Sequence, residues 1–161
     1  MGKFIKKNIT KIAFGIGSNL GNREHNINSA IDKLQKNLSL LDLKISNFYE
    51  NKAMLPDSAD QSWNKDFLNI ALIGNFDRNQ FSPIEILKII KIIEKEIGRI
   101  DSPRWSPRII DIDILAILDE PEINYNNLKI PHDGLFKRDF FYKTFGEIDL
   151  KWLELLKNNN Y

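Results

Sequence analysis

The 161-residue chain contains no cysteine. That absence excludes disulfides, a thiol nucleophile and cysteine-ligated zinc or iron–sulfur centres, and it fits a reducing compartment. Neither charge is in excess: 23 Lys and Arg face 22 Asp and Glu, for a net charge of +1. A nucleic-acid or membrane-surface protein usually carries a strong basic surplus, so both classes are disfavoured. Long hydrophobic runs are missing as well. The longest uninterrupted one covers residues 114–118, far below the roughly 20 residues that span a bilayer. Residues 1–7 are basic, but a strand-like segment follows them and not the long apolar region of an export signal. These absences together predict a cytoplasmic protein. Arginine is scarce too, at 6 against 17 Lys. Three of the six, Arg99, Arg104 and Arg108, crowd into residues 99–108, and a fourth is Arg138.

What is present is an ordinary globular composition, 42% hydrophobic and 28% charged, long enough for one domain with one core. Residues 9–16 alternate as a strand. Residues 15–22, Gly-Ile-Gly-Ser-Asn-Leu-Gly-Asn, form a loop rich in residues that tolerate positive φ. A helix over 24–41 places Ile27, Ala30, Ile31, Leu34, Leu38 and Leu41 three and four residues apart. A strand over 43–49, a long polar loop over 50–65 and a strand over 67–76 follow. Ser82-Pro83-Ile84-Glu85 starts a second helix, with an N-cap, Pro at the first helical position and Glu at the third. Gly98 ends it. A second loop spans 99–108 and a strand 109–118. Residues 123–130 read as a weaker extended segment, 137–148 as mixed, and 149–157 as a short terminal helix. The order βαββαβ with C-terminal extra elements predicts an α+β fold of ferredoxin-like type, helices packed on one face of a mainly antiparallel sheet. Residues 1–155 read as the domain and 156–161 as a polar tail, a linker to a second domain.

The strongest chemical signal is Arg104-Trp105-Ser106-Pro107-Arg108-Ile109-Ile110-Asp111-Ile112-Asp113. On a strand, Asp111 and Asp113 share one face, about 6.6 Å apart along it. Such a pair can converge on divalent ions with the oxygen-only ligation that suits Mg²⁺ beside phosphate. A solvated charged edge is the plainer reading of the two Asp alone. The Arg just upstream weigh against it, because guanidinium forks match phosphate oxygens, and metal-holding carboxylates beside them make a polyphosphate site. A surface cluster of Asp–Arg ion pairs is the competing reading. Trp105 is open between a core role and stacking on a planar heterocycle. The glycine loop has neither dinucleotide-fingerprint nor P-loop spacing, so a tight turn and a ligand-facing loop both fit. Asn69 either offers its amide to a heterocycle or closes a strand edge. His132 is a loop histidine that suits a structural hydrogen bond as well as a ligand.

In order along the chain stand Gly17-Ser18-Asn19-Leu20-Gly21-Asn22, Asp66-Phe67-Leu68-Asn69, Gly98-Arg99, Arg104-Trp105-Ser106-Pro107-Arg108, Asp111-Ile112-Asp113-Ile114-Leu115, and Ile130-Pro131-His132 with Arg138 and Phe140. With these runs the chain closely resembles the 6-hydroxymethyl-7,8-dihydropterin pyrophosphokinase family of folate biosynthesis, over residues 9–150. The resemblance implies transfer of the terminal pyrophosphoryl group of ATP to the pterin hydroxymethyl oxygen, with release of AMP. It implies two Mg²⁺ on Asp111 and Asp113, and catalytic roles for Arg99, Arg108, Asp111 and Asp113. ATP contacts are implied for Arg99, Arg104, Trp105, Arg108, His132 and Arg138, with the backbone near Ile114 and Lys129 reaching the adenine. Pterin contacts are implied for Asn51, Met54, Phe67, Asn69, Trp105 and Phe140. Loops 50–65 and 99–108 would act as lids.

The chain departs from the family pattern at three places. Ser106 stands where Gly is usual, Asp101 where many members have a second Arg, and residues 51–54 where Thr-Pro is common. The implied context is one domain of a longer chain fused to dihydropteroate synthase. Three alternatives differ in class. A ferredoxin-like binding module without catalysis would need, for RNA, an aromatic-rich run that is missing. A phosphotransferase acting on another acceptor would differ only in the acceptor pocket. An inactive scaffold would bind ATP without releasing AMP.

Overall fold

Strand β1 (Ile9–Ser18) separates two cores. Ile12, Phe14 and Ile16 point to one side and Ala13 to the other, which is the two-residue alternation of a pleated strand. The structure is a computed structural model and describes residues 6–160. Residues 1–5 of the basic N-terminal segment and Tyr161 of the polar tail lie outside the described residues.

Strand β2 (Leu41–Ile45) and strand β3 (Tyr49–Asn51) pair with β4 (Phe67–Asp77), β4 pairs with β1, and β1 pairs with β5 (Asp111–Ile117), all antiparallel. The strand order β2-β4-β1-β5, with one helix after β1 and one after β4, is that of the predicted ferredoxin-like α+β fold. Helices α1 (Arg23–Leu38) and α2 (Pro83–Ile97) cover one face through Ile27, Leu34, Ile86 and Ile90. The capping box of Ser82 and Glu85 is formed as its spacing predicts. Helix α1 stops three residues before the predicted end, because Ser39 turns into the left-handed region and donates back to Gln35 O. Leu41 then opens β2.

The predicted second strand is split in two. Strand β2 begins irregularly, with Asp42 at φ +51 and a β2–β4 register shift between Leu41 and Lys44; it ends where Ser46 Oγ, not a ladder carbonyl, accepts the Ala71 N–H, and β3 resumes the edge. The extended segment over 123–130 is a hairpin, β6 (Ile123–Tyr125) and β7 (Leu128–Ile130), turned at Asn126 with φ +50.

The larger difference is C-terminal. Residues read as mixed belong to α3 (Asp139–Asn160), interrupted at Asp149, whose φ of −148° and ψ of 75° leave the helix. Asp149 Oδ1 accepts from Trp152 N–H at 3.0 Å and so caps the second half. Phe141, Phe145, Trp152 and Leu153 pack on Ala13, Ala71, Ile73 and Leu115. The sheet is therefore covered on both faces, not on one. Leu156 of the predicted tail packs against this second core.

The site depends on where that cover stops. The β1–β5 register shifts between Ala13 and Phe14, and Leu115 and Ala116 both join the second core. Beyond this bulge the same face carries Asp113 opposite Gly15 and Asp111 opposite Gly17.

Candidate active site

A row of paired residues forms the floor: Asp111 on β5, Gly17 on β1, Asn69 on β4 and Tyr49 on β3. Glycine on the central strand keeps this floor low. A Cβ on Gly17 would lie 2.6 Å from Asn69 Oδ1, and one on Gly15 would lie 2.5 Å from the Phe141 ring. The buried Asn69 amide donates to Asn51 Oδ1. The floor and its walls enclose a cleft of about 150 Å³. Every residue predicted for the pterin lines it: Asn51, Met54, Phe67, Asn69, Trp105 and Phe140. Arg108, Asp111, Asp113 and Arg138 line it as well.

A second cleft opens at the free edge of β5, between α2 and the β6–β7 hairpin. Its walls include Lys91, Asp113, Ile114, Asn127, Lys129 and His132. Three residues predicted for ATP, Ile114, Lys129 and His132, stand here together. Asp113 lines both clefts.

The charges are tightly arranged. Asp111 accepts from Arg99 Nη1 at 2.7 Å and from Arg108 Nη1 at 2.9 Å. Burial works against the Arg99 charge, but the carboxylates of Asp111 and Glu94 outweigh it and hold the guanidinium above its ordinary range. Burial also works against ionised Asp113. His132, Arg138 and Lys91 outweigh it, and the carboxyl titrates below the usual range. His132 Nε2 lies 3.5 Å from Asp113 Oδ1. Its Nδ1 accepts from Gly134 N–H at 2.9 Å, which puts the ring proton on Nε2, facing the carboxylate.

Arg104 is placed apart from this group. Its guanidinium lies over the Trp105 ring, 4.8 Å from the centroid. Trp105 itself is 39% exposed with φ +73, so the core reading of this residue fails and its ring remains a wall of the cleft. Ser106 is buried, and its hydroxyl donates to Pro103 O at 2.7 Å, with Ser102 Oγ at the same distance.

The Gly-Ser-Asn-Leu-Gly run has two tasks. Gly17 lies in the floor, while Ser18 and Asn19 tie the loops down. Ser18 Oγ donates to Ile109 O at 2.6 Å. Asn19 exchanges hydrogen bonds with the Arg108 backbone and donates from Nδ2 to Lys65 O at 3.2 Å. The ends of both predicted lids are thus fastened to one side chain.

Glu94 is the residue that sequence reasoning missed. It is 2% exposed. Its Oε1 accepts from Arg99 at 2.7 Å and from Ile112 N–H at 2.8 Å, and its Oε2 accepts from Lys91 at 2.9 Å. A carboxylate on the apolar stripe of α2, four residues after Ile90 and three before Ile97, was the available signal.

The fold and site define an α+β domain with a carboxylate pair, a cluster of arginines and an aromatic-walled cleft at one end of its sheet. Residues 13–150 match the family model of 7,8-dihydro-6-hydroxymethylpterin-pyrophosphokinase (HPPK). The chain is 41% identical over 138 residues to a 2-amino-4-hydroxy-6-hydroxymethyldihydropteridine pyrophosphokinase of Aquifex aeolicus, covering 86% of this chain and 79% of that one. It is 38% identical to a folate synthesis bifunctional protein of Chlamydia muridarum, over 85% of this chain. It spans only 30% of that bifunctional relative's length. In fold it is similar to the HPPK-DHPS of Plasmodium falciparum, with a TM-score of 0.63 at 15% identity, covering 89% of this chain and 39% of that one. The chain belongs to the 7,8-dihydro-6-hydroxymethylpterin-pyrophosphokinase family, a family of folate-synthesis enzymes.

Proposed function

We propose that this chain transfers the terminal pyrophosphoryl group of ATP to the hydroxymethyl oxygen of 6-hydroxymethyl-7,8-dihydropterin in the cytoplasm. The observation that carries the reading is that Asp113 lines both clefts. An acceptor in the aromatic-walled cleft and a nucleotide in the edge cleft would meet at one carboxylate. The acceptor cleft offers what a flat, hydrogen-bonding heterocycle needs: the paired amides of Asn51 and Asn69 in its floor, with Phe67, Phe140 and Trp105 for stacking. The nucleotide cleft offers an edge strand. Ile112 N–H points outward to Glu94, and ladder alternation turns Ile114 N–H the same way, toward a base.

The hydroxymethyl oxygen would attack the β-phosphorus, the bond from that phosphorus to the oxygen bridging to the α-phosphate would break, and AMP would leave with that oxygen. Arg99 and Arg108, which pair with Asp111, would take up phosphate oxygens and neutralise developing charge. His132 would donate from Nε2 to the phosphate chain, and Arg138 would add a cation at the acceptor side. The two lids would exclude water, which competes for the same phosphorus.

Asp111 and Asp113 fit a magnesium site: hard oxygen donors on one strand face, opposite Gly17 and Gly15. The remaining ligands would then be phosphate and water, as that ion prefers. Two Mg²⁺ held there would screen the phosphate charge when bound. The bifunctional relative supports a second folate-enzyme domain as a partner of this chain, and dihydropteroate synthase, paired with this fold in the HPPK-DHPS of Plasmodium falciparum, would be that domain.

The test is AMP release from ATP and magnesium, with and without the pterin. AMP appearing only with the pterin, with a pyrophosphorylated pterin by mass, establishes the reaction. Folded protein that binds ATP but releases no AMP refutes it.

A further inference from the structure

Arg23 is one of only six arginines in the chain and has no task in the mechanism above. It is the first residue of α1. Its Nη1 donates to Glu50 Oε1 at 2.7 Å and to the Asp66 carbonyl at 2.9 Å. Glu50 is the middle residue of β3, and Asp66 directly precedes β4. One guanidinium nitrogen therefore ties together the two chain ends between which the first lid loop leaves the sheet and returns.

Those ends need a tie. Strand β3 is three residues long, and its ladder with β4 stops at the pair Asn51–Phe67. The last pairs of so short a ladder open easily. Asn51 and Phe67 are both walls of the acceptor cleft, and Asn51 Oδ1 accepts from the Asn69 amide. Opening at this end would separate the paired amides. Strand alternation turns Asn51 toward the cleft and Glu50 away from it, so Arg23 grips β3 from behind. The grip comes from a firm place. Asn22 caps α1 through the His25 N–H at 3.1 Å, and Asn26 Nδ2 donates to Leu20 O at 2.9 Å. Stability does not account for the contact. The Glu50 side chain is 53% exposed, and an ion pair so solvated adds little to the fold.

We infer that Arg23 is a positioning residue for the acceptor: by tying Glu50 to Asp66 it keeps Asn51 paired with Asn69 in the floor of the cleft. This rests on the reading of that cleft as the pterin site. The experiment titrates the pterin calorimetrically into wild type, R23M, E50M, E50Q and R23M/E50M, each saturated with magnesium and α,β-methylene-ATP. The nucleotide is titrated separately. In R23M the pterin is expected to bind about tenfold weaker, equivalent to about 1.4 kcal/mol, with the nucleotide within about twofold of wild type. E50M should weaken the pterin in the same direction. E50Q, which keeps an oxygen for Arg23, should stay within about twofold of wild type. The double variant should bind the pterin no worse than R23M, because a shared contact is lost only once. Unchanged pterin affinity in R23M or E50M overturns the inference. So does an equal loss for the nucleotide, or single losses that add in the double variant. A wild type that binds both ligands beside an unchanged R23M refutes the role of Arg23 alone. A wild type that binds the nucleotide but not the pterin refutes the acceptor reading, and the role of Arg23 with it.

Discussion

Gly17 on β1 and Asn69 on β4 are register partners, and the amide of Asn69 occupies the space a Cβ on Gly17 would need, 2.6 Å from Asn69 Oδ1. The acceptor floor exists because its central strand is glycine there. G17A must push the Asn69 amide off its Asn51 partner, an overpacking cost of about 1–3 kcal/mol. Under the proposed function pterin affinity is expected to fall about tenfold, and ATP affinity, assigned there to the other cleft, to stay within twofold. Separate titrations of the two ligands check this. Equal pterin affinity in G17A and wild type would remove Asn69 from the acceptor site.

Glu94 joins α2 to the edge of β5 through Ile112 N–H and aims Arg99 at Asp111. E94A leaves the part-buried Arg99 without one of its two carboxylates and leaves the Ile112 N–H unpaired. It should cost about 3 kcal/mol or more. E94Q retains an amide oxygen that can accept from both donors, as Oε1 does, and should cost less than E94A. Urea denaturation of the two variants checks the order.

Asn19 is 4% exposed and fastens Arg108, the last residue of the 99–108 loop, and Lys65, the last residue of the 50–65 loop, to the same end of β1. N19A leaves a part-buried N–H on Arg108 and a carbonyl on Lys65 without this partner, each costing about 1–3 kcal/mol where water does not replace it. The melting temperature should fall by roughly 2–4 °C per kcal/mol for a chain of this size. Limited proteolysis should cut faster in both loops. Faster cutting in one loop alone would show that Asn19 does not couple them.

Asp149 pairs with Lys11 at 2.7 Å and caps the second half of α3. Partial burial disfavours its charge, but the Lys11 contact and the Trp152 N–H outweigh it, so the folded-state pKa lies below the ordinary carboxylate value. A depressed carboxylate pKa stabilises the fold fully above the unfolded value of about 3.9 and loses that contribution as pH falls through the folded value. D149N keeps the cap through the amide oxygen but loses the Lys11 charge pair, so it should be about 0.2–1 kcal/mol less stable than wild type at pH 7, and the gap should close as pH drops below 4. Thermal melts at both pH values check the sign. A gap that widens in acid would contradict the linkage.

Local chemistry made much of the molecule readable without its structure. The Ser82–Glu85 capping box, the three-and-four spacing in α1 and the strand alternation around Phe14 are decided by near neighbours, and they appear as predicted. The site residues were readable as types: two carboxylates on one strand face with arginines upstream. Their assembly was not. Asn51, Phe67, Trp105 and Phe140 come from four segments, and only the β3–β4 register, the fastening of the 99–108 loop at Asn19 and the placement of α3 bring them to one cleft. Helix α3 was hidden because its aromatic residues serve two surroundings, Phe140 the cleft and Phe145 the second core, which blurs a single apolar stripe. Glu94 was hidden because a carboxylate on an apolar face is explained only by partners that are distant in sequence or lie beyond its helix. Sequence by itself determined α1, α2, the strands of the βαββαβ core in their order and the chemical types at the site, since each depends on contacts a few residues long. Tertiary structure alone decided that the two clefts meet at Asp113, because that depends on a bulge in one ladder and on how far a C-terminal helix reaches across the sheet.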